Sequence, residues 1–330
     1  MLDIDFIKEK QIYKRYSIAL EKDSSIVDID YSMPDMQPDY KTDKDTKELT
    51  ISDRKGSISI FIEDLSDLDV KLVNSNLEIS IYYIFPNSKI ASYKEHRLNI
   101  EAISSRIDIN IAYLSKIRSL IDYKIRGLDS EAKLNLIFGS TNKLRSKIAS
   151  EQIGRSSIEI NSLAYADNGM IDLEIVSSNI DNGTRSLIVE RAIAKNSSKI
   201  FIKALSYSLS KAVGSFSNII QEGFAYDRDS HIAALPDMHV ETNNLIAKHS
   251  AYSGPIDEEK LFYLMSRGID KESSKLLFTD GQIMSVACRS NNDNFIRYAL
   301  ELIGKEYLYT FTVDNEFRES INRLYKNYYS

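Results

Sequence analysis

Between about residue 57 and residue 250 the chain advances in short runs in which apolar and polar residues alternate: SISIF, LEISIYY, RIDINIAY, AKLNLIF, SSIEINS, MIDLEIV and SKIFIKAL. Alternation with period two marks a strand with one buried face. The runs also recur at a nearly fixed step. Their central apolar residues are Ile107, Ile121, Leu134, Ile158, Ile171, Leu187, Ile200 and Val213, mostly 13 or 14 positions apart, with 16 between Ile171 and Leu187 across DNGTR. The interval from Leu134 to Ile158 is about twice that step, and Leu144 or Ile148 fills it. A repeat this short, with no helix between strands, predicts a solenoid in which each turn of chain stacks on the last. A parallel β-helix fits best. An antiparallel sandwich would need turn signals every 8–12 residues or so, and only DNG at 167–169 and at 181–183 qualifies. Ser, Asn and Thr crowd the edges of the runs, as expected at tight corners where short polar side chains bond the backbone.

The pattern changes at both ends. Phe6, Tyr13, Tyr16 and Leu20 recur near helical spacing, with Asp3 or Asp5 available as a cap, and predict a short amphipathic helix. Residues 23–56 lose periodicity and contain Pro34 and Pro38, which reads as an irregular linker. After Pro255, Asp257 caps a predicted helix carrying Leu261, Leu264 and Met265 and ended by Gly268; Asp270 caps a second, through Leu276 and Leu277, ended by Gly281. Segments from Phe295 to Ile303 and from Phe317 to Leu324 keep helical spacing. The expected organisation is a mainly β chain: an N-terminal helix and linker at 1–56, a parallel β-helix core at 57–254 and a C-terminal helical domain at 255–330.

Composition narrows the function. With 43% hydrophobic and 27% charged residues the chain is a folding one. It holds no run of eighteen apolar residues, and MLDIDFIKEK lacks the apolar stretch of a secretory signal, so the expected location is the cytoplasm, with no membrane partner. A net charge of -6 argues against a nucleic-acid surface, and Lys8, Lys10, Lys14 and Arg15 read as a solvated helix face. One cysteine, Cys288, excludes a disulfide framework. Walker A, G-x-S-x-G and G-x-G-x-x-G loops are absent, so neither ATP hydrolysis nor dinucleotide chemistry is expected, and no enzyme activity follows from the residues. The 20 tyrosines would suit a carbohydrate-active β-helix, against which stand the lack of Trp and of an export signal.

The stretch HSAYSGPIDEEKLFYLMSRGI, from His249 to Ile269, resembles the signature of the SufB/SufD family, scaffold proteins of the SUF iron–sulfur cluster assembly system. The resemblance extends upstream through SFSNIIQEGFAYDRDSHIAALPDMHVETNNL and SLIVERAIAKNSSKIFIKALSYS, and downstream to Gly281, covering roughly residues 185–285. It implies an N-terminal helical part, a right-handed parallel β-helix and a C-terminal helical domain. It also implies partners: a SufC-type ABC ATPase docked on the C-terminal helices, with Leu261, Phe262, Tyr263, Arg267 and Gly268 as candidate docking residues, and a SufB-type chain paired end to end. SufB-like chains carry a cysteine in the strand before the histidine turn; here that place is Val240. SufD-like chains contribute the histidine, and His249 matches it. The resemblance therefore implies a SufD-like scaffold with no resident cofactor, His249 being a candidate metal ligand for a transient iron–sulfur cluster whose other ligands come from the partner. A SufB-like or homodimeric scaffold is the alternative.

Each candidate has a plainer reading. His249 could cap or pack at an interface. His231 and His239, with Asp227, Asp229 and Asp237, resemble a metal cluster, but acidic residues in DRDSH suit a corner that binds turn amides. Glu241 and Lys248 are candidates for interface ion pairs. His96, isolated in ASYKEHRLN, is expected in solvent, and Cys288 is expected as a small buried hydrophobe.

Overall fold

The computed structural model describes residues 16–19, 26–31, 39–42, 47–63, 67–84, 93–312, 316, 318–320 and 323. Its first strands are Tyr16–Ala19 (β1), Ile26–Tyr31 (β2), Asp39–Thr42 (β3), Lys47–Ser52 (β4), Lys55–Glu63 (β5), Leu68–Val73 (β6), Asn76–Ile84 (β7) and Tyr93–Ile103 (β8). The central strands are Arg106–Ser115 (β9), Arg118–Leu128 (β10), Glu131–Ser140 (β11), Lys143–Ile153 (β12), Ser157–Asp167 (β13) and Met170–Asn179 (β14). Arg185–Lys195 (β15), Lys199–Ser208 (β16), Ser215–Ala225 (β17), His231–Val240 (β18) and Leu245–Pro255 (β19) complete the set. From β4 onward successive strands alternate between two sheets. Sheet I runs β1-β2-β5-β7-β9-β11-β13-β15-β17-β19, and sheet II runs β3-β4-β6-β8-β10-β12-β14-β16-β18. From β4 and β5 onward every pairing is parallel, so the chain winds as a parallel β-helix. Apolar residues of both sheets fill the bore between them, Ile109, Leu134, Ile160 and Ile188 from one and Ile121, Ile148, Leu173 and Ile202 from the other.

Each alternating run is thus one strand, and two make a turn. Ile107 pairs with Ala132, which pairs with Ile158, steps of 132 − 107 = 25 and 158 − 132 = 26 residues. The long interval after Leu134 is occupied by β12, whose Leu144 and Ile148 both enter the core. Leu187 leaves the series for the outer face of sheet I, packing with Val189 and Ile220. Val213 leaves it too. It lies in the turn between β16 and β17 and is exposed, because that corner is longer and shifts the next bore residues to Ser217 and Ile219.

The corners explain the polar residues at run edges. Asp53, Asn74, Ser104 and Asp129 adopt left-handed backbone angles, φ of 56°, 48°, 48° and 47°, and each sends its N–H to the turn above: to Val73 O, Ile103 O, Leu128 O and Ile153 O, at 2.9–3.1 Å. Asp and Asn enter this conformation more easily than most residues. Beside them runs a buried serine ladder. The N–H groups of Ser75, Ser105 and Ser130 donate to the hydroxyls of Ser105, Ser130 and Ser156 at 3.0, 3.0 and 3.1 Å. The serines bond the neighbouring turn as well as their own corner, which satisfies buried amides that no ladder reaches.

Neither N-terminal expectation survives where the chain is described. Tyr16, expected on a helix, lies in β1, antiparallel to β2, which is itself antiparallel to β5; Phe6, Tyr13 and Leu20 lie outside the described residues. The linker of 23–56 contains β2, β3 and β4. Pairing wins here because the first turn of a solenoid leaves a strand edge that must be covered.

After β19 come helices Glu258–Met265 (α1), Lys271–Ala287 (α2) and Asp293–Leu302 (α3), a 3-10 turn at Glu306–Leu308 and a short helix Tyr309–Thr312 (α4). Their caps are side-chain carboxylates or amides: Asp257 accepts from Glu259 N, Asp270 from Ser273 N and Asn292 from Phe295 N, at 2.9–3.1 Å. Gly268, at φ 87°, follows α1 as expected. Gly281 does not end α2. The cost of glycine inside a helix, about 1 kcal/mol, is outweighed by burial of Ile283, Met284, Val286 and Ala287 beyond it. Phe317 and Leu324 lie outside the described residues.

The helices cover the outer face of sheet I. Tyr82, Ala112, Ile137, Leu163 and Ile193 pack against Ile283, Phe295, Ile296 and Tyr298, so the helical segment shares its core with the solenoid. Arg289 pairs with Glu159, and the Tyr298 hydroxyl donates to Tyr83 O at 3.0 Å. Sheet II stays open to solvent and carries a ladder of alternating charge, Lys71, Glu101, Arg126 and Glu151, at 3.5–3.6 Å per step.

His96 corrects another expectation. It is fully buried in the bore, 2.8 Å from the Tyr83 hydroxyl, which is also 2.8 Å from that of Tyr123. On the alternation of β8 it shares the inward side of Leu98 and Ile100, and a strand's parity overrides a residue's polarity when hydrogen-bonding partners wait inside.

Candidate functional site at the open end of the solenoid

Among the described residues the last strands of the two sheets are β18, paired only with β16, and β19, paired only with β17. Their free edges and the open bore form one mouth. Leu235, Val240, Ile246 and Tyr252 there are 54, 46, 57 and 42% exposed, a concentration of apolar surface of the kind that marks an interface.

His249 stands on this rim. It pairs in register with Ile219, a bore residue, and in-register parallel strands keep paired residues on the same face. The imidazole therefore belongs to the bore-facing row of β19 and is exposed, because no further turn among the described residues covers it. Val240 pairs with Ser208 and occupies the corresponding row of β18. The two positions flank the mouth from opposite sheets.

His231 and His239 fall on the outward row of β18 and do not join His249. His239 pairs with Glu241 at 3.4 Å and sits 5.8 Å from the Tyr207 ring. Glu241 also accepts from Ser210 N at 3.1 Å. Asp227 is a corner carboxylate, accepting from Asn196 N at 2.6 Å, Ser230 Oγ at 2.9 Å and Asp229 N at 3.2 Å; partial burial pushes its carboxyl up, and these hydrogen bonds outweigh it and hold it below the usual range. Among the described residues no group of three His, Cys, Asp or Glu side chains is placed to hold a metal ion.

The residues of α1 divide. Leu261 is 3% exposed, packed with Phe224 and Ile256, and anchors the helix. Phe262 and Tyr263 are 71% and 60% exposed, with the Arg267 guanidinium 5.3 Å from the Tyr263 ring centroid.

The family model described as SUF system FeS cluster assembly, SufBD core domain, matches residues 92–282, from the start of β8 into α2. The chain belongs to the SufBD family. The match begins well before residue 185, so the family extends over the middle turns as well as the terminal ones. Proteins described as Iron-sulfur cluster assembly SufBD family protein from Staphylococcus epidermidis, Staphylococcus haemolyticus and Staphylococcus aureus are each 32% identical over 123 residues, 37% of this chain. That stretch spans 26% of each relative's length.

Within this SufBD chain the thiol is withdrawn from chemistry. Cys288 is 1% exposed in the layer between helices and sheet I, and burial pushes its thiol up to about 11. Only the thiolate is a competent nucleophile. Iodoacetamide at neutral pH is therefore expected to leave Cys288 unmodified in the folded chain and to alkylate it in denaturant, read by intact mass; rapid modification of the native chain would refute this burial. Sequence reasoning missed the buried polar pair of the SufBD bore, Glu190 and Gln221. Glu190 is fully buried, and the signal was parity, since it alternates with Ile188 and Ala192, both of which enter the core.

Proposed function

We propose that this chain is a SufD-like scaffold of the iron–sulfur cluster assembly machinery, working in the cytoplasm. It joins a SufB-type chain at the solenoid mouth and an ABC-type ATPase at the helical layer, and it performs no catalysis of its own. The observation that carries the reading is the place of His249: an exposed imidazole on the bore-facing row of a strand whose outer backbone edge is unpaired among the described residues. An imidazole there is a borderline ligand that a nascent cluster can share and leave, provided the partner brings thiolate and carboxylate. Val240 in the facing row supports the SufD-like assignment, since it supplies no sulfur. The unpaired edges of β18 and β19 support strand addition by a second chain. Exposed aromatic residues beside an arginine, as at Phe262, Tyr263 and Arg267, are the composition of an interface anchor, and they are assigned to the ATPase.

The test is co-purification of the tagged full-length chain with the SufB-type and ATPase chains of its own source. Phe262→Glu with Tyr263→Glu is expected to lose the ATPase and keep the SufB-type chain. Ile246→Asp is expected to do the reverse. His249→Ala is expected to keep both partners and to lower cluster formation by the assembled complex at least tenfold. Normal cluster formation by His249→Ala would remove the ligand role, and failure of the unaltered chain to retain either partner would refute the scaffold reading.

A further inference from the structure

Below the mouth, Glu190 of β15 and Gln221 of β17 pair in register. Both are fully buried, on the same row of the bore as Ser162 and Ala251. The Gln221 amide Nε2 donates to Glu190 Oε2, whereas Glu190 Oε1 and Gln221 Oε1 are buried acceptors with no hydrogen-bond partner. A carboxylic acid O–H on Glu190 Oε1, donating to Gln221 Oε1, closes a ring of two hydrogen bonds between acid and amide and satisfies both atoms. A carboxylate would leave both acceptors without a donor.

Nothing in the surrounding bore compensates a charge. The bore-facing residues of β13, β14, β16 and β18 are Ile, Leu, Val, Ala, Ser, Asn, Pro and Met, and those of β17 add only Gln221 and Gly223. From β13 to β19 the one other titratable side chain in these rows is His249, one strand beyond Gln221 and at the solvent edge. The neighbouring Arg191 alternates to the outer face and binds Glu222 at 2.8 Å.

We propose that Glu190 is held as the neutral acid in a ring with Gln221, and that this pair is a proton-gated latch on the last turns of the solenoid. Loss of the proton places an uncompensated carboxylate in the bore and favours opening of β17 and β19, the strands between it and solvent. The inference is independent of which partners the chain takes. Burial, against the weaker pull of the Gln221 hydrogen bond, pushes the carboxyl up to about 8, so the sign is fixed. The closed form keeps its proton above the ordinary carboxyl range of about 4.3, where an opened, hydrated Glu190 loses it. The stabilisation is complete below that range and declines as pH rises towards 8.

Two measurements on the full chain test it. Infrared spectra of protein labelled with carboxyl-13C glutamate are expected to show a protonated-carboxyl band at neutral pH that shifts with the label, fades in step with the upper titration and is absent from E190Q. Hydrogen exchange of β17 and β19 amides, taken as the ratio of wild type to E190Q at each pH, is expected to rise by up to about tenfold per pH unit between pH 5 and 8. E190Q keeps an amide donor in the same ring, and the ratio cancels the intrinsic pH dependence of exchange. The infrared measurement on wild type stands even if E190Q folds poorly. No protonated band at pH 7 overturns the acid pair, and a flat exchange ratio overturns the latch.

Discussion

Asp280→Ala is expected to destabilise the chain by about 3–5 kcal/mol, as removal of one partner from a buried ion pair does. Asp280 and Lys305 side chains are each only 9% exposed, with Lys305 Nζ 3.0 Å from Asp280 Oδ1. The Tyr307 hydroxyl donates to Asp280 Oδ2 at 2.5 Å and lies 3.1 Å from the same ammonium. One carboxylate thus holds the turn after α3 against the middle of α2. Its removal strands the buried Lys305 ammonium away from water, and that desolvation, more than the lost attraction, sets the size of the effect. Denaturant melts of three proteins decide the matter: wild type, Asp280→Ala, and Asp280→Leu combined with Lys305→Met. The double variant removes both charges and is expected to recover most of the loss; a single variant within about 1 kcal/mol of wild type would show that the pair is solvated.

Phe138→Ala is expected to cost about 3–5 kcal/mol, the range for deleting a large aromatic from a core. The ring is fully buried in the bore, 6.4 Å from Tyr123 in an aromatic segment that includes Tyr83, Tyr113 and His96. A stacked solenoid has no second layer to collapse into the space, because each turn touches only the turns beside it. The loss should therefore be local in hydrogen exchange, greatest in β9, β11 and β13 and small in β17. A uniform rise along all strands would mean that the solenoid unfolds as one cooperative body.

What could be read in advance followed from local rules. Alternation placed Ile107, Leu134 and Ile171 inside, the step between runs gave a stack, and Asp257 and Asp270 marked helix starts because capping is decided within four residues. The failures were decided at a distance. Tyr16 carries helical spacing, yet an unpaired sheet edge recruits its segment as a strand. Gly281 is a stop signal overruled by the core that α2 buries beyond it. His96 and Glu190 were concealed by their polarity, although their parity placed both inside. His249 was found through its motif, and only the register with Ile219 gave it a direction.

The two ends of the solenoid are unlike, and this sets how such a chain can associate. At the start of the stack the described outer strands, β1 and β3, are 4 residues each and run against their neighbours. At the other end β18 and β19 offer 10 and 11 residues running with the stack. A copy laid head to tail would meet a strand of 4 residues in each sheet, and in sheet II one of opposite sense, where it needs a long parallel one. That mismatch among the described strands disfavours head-to-tail stacking, the kind of contact that does not close on itself and would run on into a fibre.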